Sequence, residues 1–190
     1  MRRHAYNNPG HAHFLTFSCY RMQQLLTDNL LRGWLAEALD NARETEHFDL
    51  WAYVFMPDHV HLLIHPQHED YSVPAILRRI KEPFTRRVVA AWRESSPSKL
   101  VLLQAQFGQR TVHRFWQAGG GFDRNMTDMA AVNSAIGYIE YNPVRRGYVQ
   151  EPVDWAWSSA RARAGWEDVP LRVDPVEVIF SRMGEGSLKP

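Results

Sequence analysis

Two histidines one residue apart, His59 and His61, are the first side chains whose type and spacing could do chemistry. In an extended strand residues i and i+2 point to the same side, with their Cα atoms roughly 6 to 7 Å apart. Two imidazoles placed this way can share one metal ion. His65 has the same parity but stands further along, out of reach of the same ion. Val60 and Leu62 would face the other way and hold the strand rigid, as a metal site requires. Such pairs also occur by chance, and three other chemistries use paired histidines. A nucleotide hydrolase with three alternating histidines would want one at position 63, where Leu63 stands. An amidohydrolase needs a barrel of about 250 residues, and this chain has 190. A structural zinc site wants more Cys and His at compact spacing, but Cys19 is the one cysteine.

A second pair lies downstream in YIEYN. Tyr138 and Asn142 are four residues apart and share a face if both are helical. The amide oxygen of Asn142 could complete a hard-metal site, and the phenol of Tyr138 could attack phosphorus. Their other reading is a core tyrosine and a helix C-terminal asparagine. Pro143 biases Asn142 away from helical angles. Tyr141 is a second possible nucleophile, turned about 100° from the Asn142 direction in a regular helix.

These residues need elements to position them. Residues 13–20 (HFLTFSCY) read as a first strand. Thr27 or Asp28 can cap a helix running to Glu46, with Leu30, Leu31, Trp34, Leu35, Ala38 and Leu39 at helical spacing. Residues 48–56 and 59–65 read as strands joined at Pro57-Asp58 in a tight antiparallel link. Ser72 caps a second helix, which Pro83 should kink or split. Residues 95–110 are ambiguous, with a short strand possible at 100–103. Residues 113–117 (HRFWQ) are the expected fourth strand, and Gly119, Gly120 and Gly121 break the structure after it. Thr127 or Asp128 caps the helix that carries Tyr138. The order matches a ferredoxin-like α+β plan. Its antiparallel sheet has helices on one face, and the tyrosine helix can lie over the other. A domain over residues 1–165 and a mobile tail over 166–190 are expected.

Composition bounds the rest. At 45% hydrophobic and 23% charged the chain is an ordinary globular protein. One cysteine excludes an intramolecular disulfide and fits a reducing cytoplasm. No apolar run approaches the roughly 20 residues that span a bilayer, and the first residues lack the apolar core of a signal peptide. A cytoplasmic, nucleoid-associated protein with no membrane partner is therefore expected. The net charge of +1 hides local clusters. Arg78, Arg79, Lys81, Arg86 and Arg87 fall within ten residues, Arg2 and Arg3 open the chain, and Arg145 and Arg146 form a further pair. Clusters of this kind neutralise phosphates or simply form a solvated helix face.

The strings PDHVHLLIHP, FWQ, FDRN, YIEYNPVRRGYV and DWAWSS, in this order over about residues 3–159, resemble the REP-associated tyrosine transposases. Those belong to the HUH single-stranded-DNA transposases. A Gly-rich AGGG before Phe122-Asp123-Arg124 departs from the family pattern. The resemblance implies a ferredoxin-like nuclease fold and recognition of hairpin-forming DNA repeats. It matches His59 and His61 to the metal pair, Asn142 to a third ligand and Tyr138 to the nucleophile. The metal is then Mg²⁺ or Mn²⁺, and the intermediate a 5′-phosphotyrosine. A tyrosine ordinarily keeps its proton at neutral pH, so attack needs the metal or a base, for which Asp58 and His65 are the nearest in sequence. Phosphate contacts are expected from Arg78, Arg79, Lys81, Arg86 and Arg87, then from Arg114, Arg124, Arg145 and Arg146. A repeat-binding protein without cleavage and a small metal-dependent nucleotide phosphohydrolase remain as rival readings. Monomer and homodimer both stay open, as does use of Tyr138 in cis or in trans.

Overall fold

The computed structural model describes residues 7–176. Arg2, Arg3 and residues 177–190 lie outside them. Apolar alternation builds four strands into one antiparallel sheet: β1 (Ala12–Ser18), β2 (Phe48–Phe55), β3 (His59–Pro66) and β6 (Phe122–Met126). The order is β2-β3-β1-β6, the ferredoxin-like arrangement. Leu15, Phe17, Val60, Leu62 and Ile64 face one side, where α1 (Asn29–Glu46) and α2 (Val73–Ser95) cover them. Ala12, Trp51, Val54 and Leu63 face the other side, under α3 (Met129–Glu140). A register shift at Leu50/Ala52 puts the consecutive residues Trp51 and Ala52 on the α3 side.

The helices start where short polar side chains cap them. Asp28 accepts from Leu30 N at 2.9 Å, Ser72 from Ala75 N at 3.3 Å and Asp128 from Ala131 N at 2.8 Å. Each cap satisfies an otherwise orphaned amide and contributes about 1 kcal/mol. Pro83 does not split α2, which runs unbroken over 23 residues. Pro83 is exposed, so the carbonyl it leaves without an amide partner can be hydrated rather than stranded in the core.

Two expectations need correction. Residues 113–117 are not the fourth strand: β6 is, and residue 116 makes an isolated bridge to Cys19. The ambiguous segment holds a 3₁₀ turn (Pro97–Leu103) and a hairpin, β4 (Gln104–Phe107) and β5 (Arg110–His113). Beyond residue 165, where a mobile tail was expected, the chain docks on the domain as far as Val176. Leu171 and Val176 are buried, and Asp174 accepts from Leu50 N at 2.8 Å. No helix among the described residues is long and apolar enough to cross a membrane.

Candidate metal centre and tyrosine helix

The turn at Pro57-Asp58 is tied down on three sides. Met56 N donates to His59 O, Cys19 N to Asp58 O and Leu26 N to Pro57 O, all within 2.9 Å. The start of β3 is therefore fixed, and with it the histidines. His59 and His61 project to the α3 side with ring centroids 4.7 Å apart. His59 Nδ1 lies 2.7 Å from Asp58 Oδ1, and His61 Nδ1 lies 2.7 Å from Thr16 Oγ1, its cross-strand neighbour. An ionised carboxylate only accepts, so His59 Nδ1 carries the proton and its Nε2 keeps a lone pair. The Thr16 hydroxyl can accept from His61 in the same tautomer. Partners of this kind orient metal-binding histidines. Burial above all, with the nearby Arg146 charge adding to it, lowers the His61 pKa to about 3. Its ring is thus neutral at physiological pH, as a ligand must be.

The tyrosine helix closes over this pair. Tyr138 meets His61 edge to face at 5.4 Å and Phe14 at 5.8 Å, while Phe14 itself stacks on His61 at 5.4 Å. Tyr138 remains 41% exposed, and the Arg145 guanidinium lies 4.7 Å over its ring. One turn on, Asn142 is 5% exposed and its Oδ1 is buried with no protein partner. Leaving such an acceptor unpaired costs about 1–3 kcal/mol and demands an explanation. Asn142 lies between two anchors: Tyr138 against His61, and Arg146, whose Nη2 is 4.0 Å from the Asp58 carboxylate that holds His59. Pro143 does not remove it from helical structure, because Asn142 opens a new turn, α4 (Asn142–Arg145), in which proline is tolerated. No group of three or more His, Cys, Asp and Glu side chains gathers among the described residues. Two imidazoles and an amide oxygen would suit a divalent ion whose other ligands are phosphate or water.

The other sequence candidates sit elsewhere. Tyr141 is exposed and makes no ring contact with either histidine. His65 stacks on Trp51 at 4.9 Å and faces Asp49 at 3.5 Å. The Asp58 carboxylate is engaged by His59 and Arg146.

A strap fixes the angle of α3. Phe55 N donates to Trp157 O, and Ser159 N to Tyr53 O, which lays residues 157–159 along the edge of β2. Ser159 Oγ and Arg163 Nε, in α5 (Ala160–Arg163), both donate to Glu140 at the end of α3, at 2.7 and 2.9 Å. DWAWSS is thus a structural clamp on the tyrosine helix.

The family described as "Transposase IS200 like" matches residues 8–118, more than half of the chain. The match takes in His59 and His61 and ends before α3. A Haemophilus influenzae relative, named as a REP-associated tyrosine transposase, is 30% identical over 136 residues, 70% of this chain and 72% of its own. The chain belongs to the IS200-like transposases. Within them it stands with the REP-associated tyrosine transposases, enzymes that nick and join DNA. A solved REP-associated tyrosine transposase, bound to a REP hairpin, shares the fold with a TM-score of 0.68 at 22% identity, covering 92% of each chain.

In this transposase the basic residues divide between the two faces. Arg124, Arg145 and Arg146 share the face of the histidine pair. The α2 cluster lies across the sheet. There Arg79 and Arg87 pair with Glu46 and Glu37 of α1, and Arg78 is exposed beside them. Lys81 lies 4.5 Å over the Phe17 ring. With Arg86, Arg93, Arg114 and Trp116 it lines a groove of about 850 Å³. Sequence reasoning missed Thr16 and Phe14, because their place beside His61 depends on strand register. It also missed Arg93, which lies outside the cluster of charges.

Proposed function

We propose that this transposase nicks and rejoins single-stranded DNA beside hairpin-forming repeats through a covalent 5′-phosphotyrosine on Tyr138, formed in cis. The observation that carries this is Tyr138 standing against its own His61, with the unpartnered Asn142 Oδ1 one turn on. His59, His61 and Asn142 would hold one Mg²⁺ or Mn²⁺. The bound ion supplies Lewis-acid polarisation of the scissile phosphate and stabilises its developing charge. Tyr138 Oη attacks phosphorus and loses its proton to solvent. The P–O3′ bond breaks, and the 3′ oxygen leaves with the electron pair and takes up a proton. Arg145 holds the tyrosine ring and sets a positive charge beside the point of attack. The phosphotyrosine conserves the phosphodiester energy, so the 3′-OH of another strand can reverse the step and join. Such a substrate places the protein with the nucleoid in the cytoplasm.

Covalent capture tests this. Labelled hairpin-bearing single strands are incubated with protein and Mn²⁺ and run on a denaturing gel. An adduct is expected with the wild type and none with Tyr138→Phe. An adduct that survives Tyr138→Phe overturns the nucleophile. Product without any adduct points to the hydrolase, and tight binding with neither points to a repeat-binding protein.

A further inference from the structure

Next to the tyrosine, on the side away from the histidines, α3 and the edge of the sheet enclose a pocket of about 250 Å³. We infer that this pocket receives one unpaired purine base of the bound strand, next to the scissile phosphate, and that Arg124 reads it. The inference rests on the single-strand reading above.

Size limits the occupant. Sites that enclose whole small-molecule ligands run to ~300–1,000 Å³, so this one has room for a single ring system. Its walls suit a flat apolar face. Phe14 presents one aromatic surface and Tyr138 another, while Met126, Ala131 and Ala135 supply small or flexible apolar sides. Bases taken out of a stack are held in this way, between aromatic and aliphatic side chains. The polar groups are few and lie at the rim: the exposed Ser134 and Arg124. Arg124 pairs with Phe14 across β1 and β6, so both side chains point to the same face. Among the described residues no carboxylate lies within ion-pairing distance of Arg124, whose side chain is exposed at the rim. A guanidinium fork matches the paired O6 and N7 acceptors of guanine better than any other base edge.

The position gives the pocket its meaning. Phe14 stacks on His61 and forms the pocket floor, and Tyr138 is both pocket wall and nucleophile. A base seated there fixes which phosphodiester is presented to the phenol. The pocket therefore chooses the cleavage position, whereas recognition of a hairpin would choose only the neighbourhood.

The test uses a single strand selected from a random pool by binding to the full chain, with 2-aminopurine moved through it one position at a time. One position should lose fluorescence on binding. An abasic site there should weaken binding about tenfold. Ser134→Trp fills the pocket mouth from an exposed helix position and should abolish both effects, with an unchanged circular-dichroism spectrum. Arg124→Met should keep the quenching but lose the preference for guanine over adenine at that position. Quenching and an abasic penalty that persist in Ser134→Trp, or no quenched position at all, overturn the pocket. Its failure leaves adduct formation by Tyr138 intact. Quenching without any adduct would instead uphold the pocket and sink the nuclease reading.

Discussion

At the scale of single residues, the candidate centre depends on atoms that never touch a metal. His61 can offer Nε2 only if its proton sits on Nδ1, and Thr16 is the partner of that proton. Thr16→Val keeps the volume and removes the acceptor. Metal affinity should fall about 10–100-fold, as with other partners of ligating histidines, and stability should fall by about 1 kcal/mol for the stranded N–H. Calorimetric titration with Mn²⁺ checks this, and unchanged affinity would show that the hydroxyl does not set the tautomer. That His59 and His61 share a face was legible from spacing alone, because strand parity is a local property. Thr16 was not legible, because nothing within its own segment says that it pairs with His61.

At the scale of elements, glycine and burial govern what the sequence conceals. The glycine run before Phe122-Asp123-Arg124 read as an insertion that interrupts structure, yet it delivers the fourth strand. Gly121 has φ of +75°, and a Cβ there would fall 2.0 Å from Thr16 O. β1 and β6 can meet only over a residue without a side chain. Gly121→Ala should cost at least about 1–3 kcal/mol from backbone strain alone. Because the displaced carbonyl belongs to Thr16, Mn²⁺ affinity should drop too. A melting curve and the same titration decide it, and a variant with wild-type values in both would refute the link. The strand itself was misplaced because FDRNM is polar and HRFWQ is aromatic. β6 owes its conformation to pairing with β1, not to its own propensity. The helix starts, in contrast, were readable to within one residue, at Thr27 or Asp28, at Ser72 and at Thr127 or Asp128, because capping chemistry is local.

On α2, burial has a measurable cost. Desolvation lowers the Lys81 pKa from 10.5 to about 8. Between those values the unfolded chain binds a proton that the folded one has lost, so stability rises with pH across that window. The gain is about 3 kcal/mol at most, less whatever the Phe17 ring returns to the cation at neutral pH. Lys81→Met should flatten the dependence between pH 8 and 10.5 and stabilise the protein near pH 7. Urea unfolding of both proteins across that range reads the difference. A wild-type slope in the variant would mean that Lys81 is solvated in the fold.

At the scale of the whole molecule, the sheet separates two positive surfaces. One carries Arg124, Arg145 and Arg146 with the histidines and Tyr138. The other carries Arg86, Arg93 and Arg114 around the groove beside Trp116. A linear count of charges makes the α2 cluster look like the nearest grip on the reacting strand, but on the proposed reading a strand held at Tyr138 would lie across the sheet from it. On the proposed reading, the α2 surface would hold the part of the DNA that is not being cut. Replacing Arg86, Arg93 and Arg114 together with alanine should weaken binding of a hairpin-bearing strand. It should also make the slope of log affinity against log salt shallower by about 2–3, since each lost phosphate contact removes ~0.7–0.9. The rate of adduct formation on a saturating short strand without a hairpin should not change, because that strand occupies only the face of Tyr138. Equal loss on both substrates would mean that one strand wraps the sheet edge and touches both surfaces. No loss on either would leave the groove with no part in holding DNA.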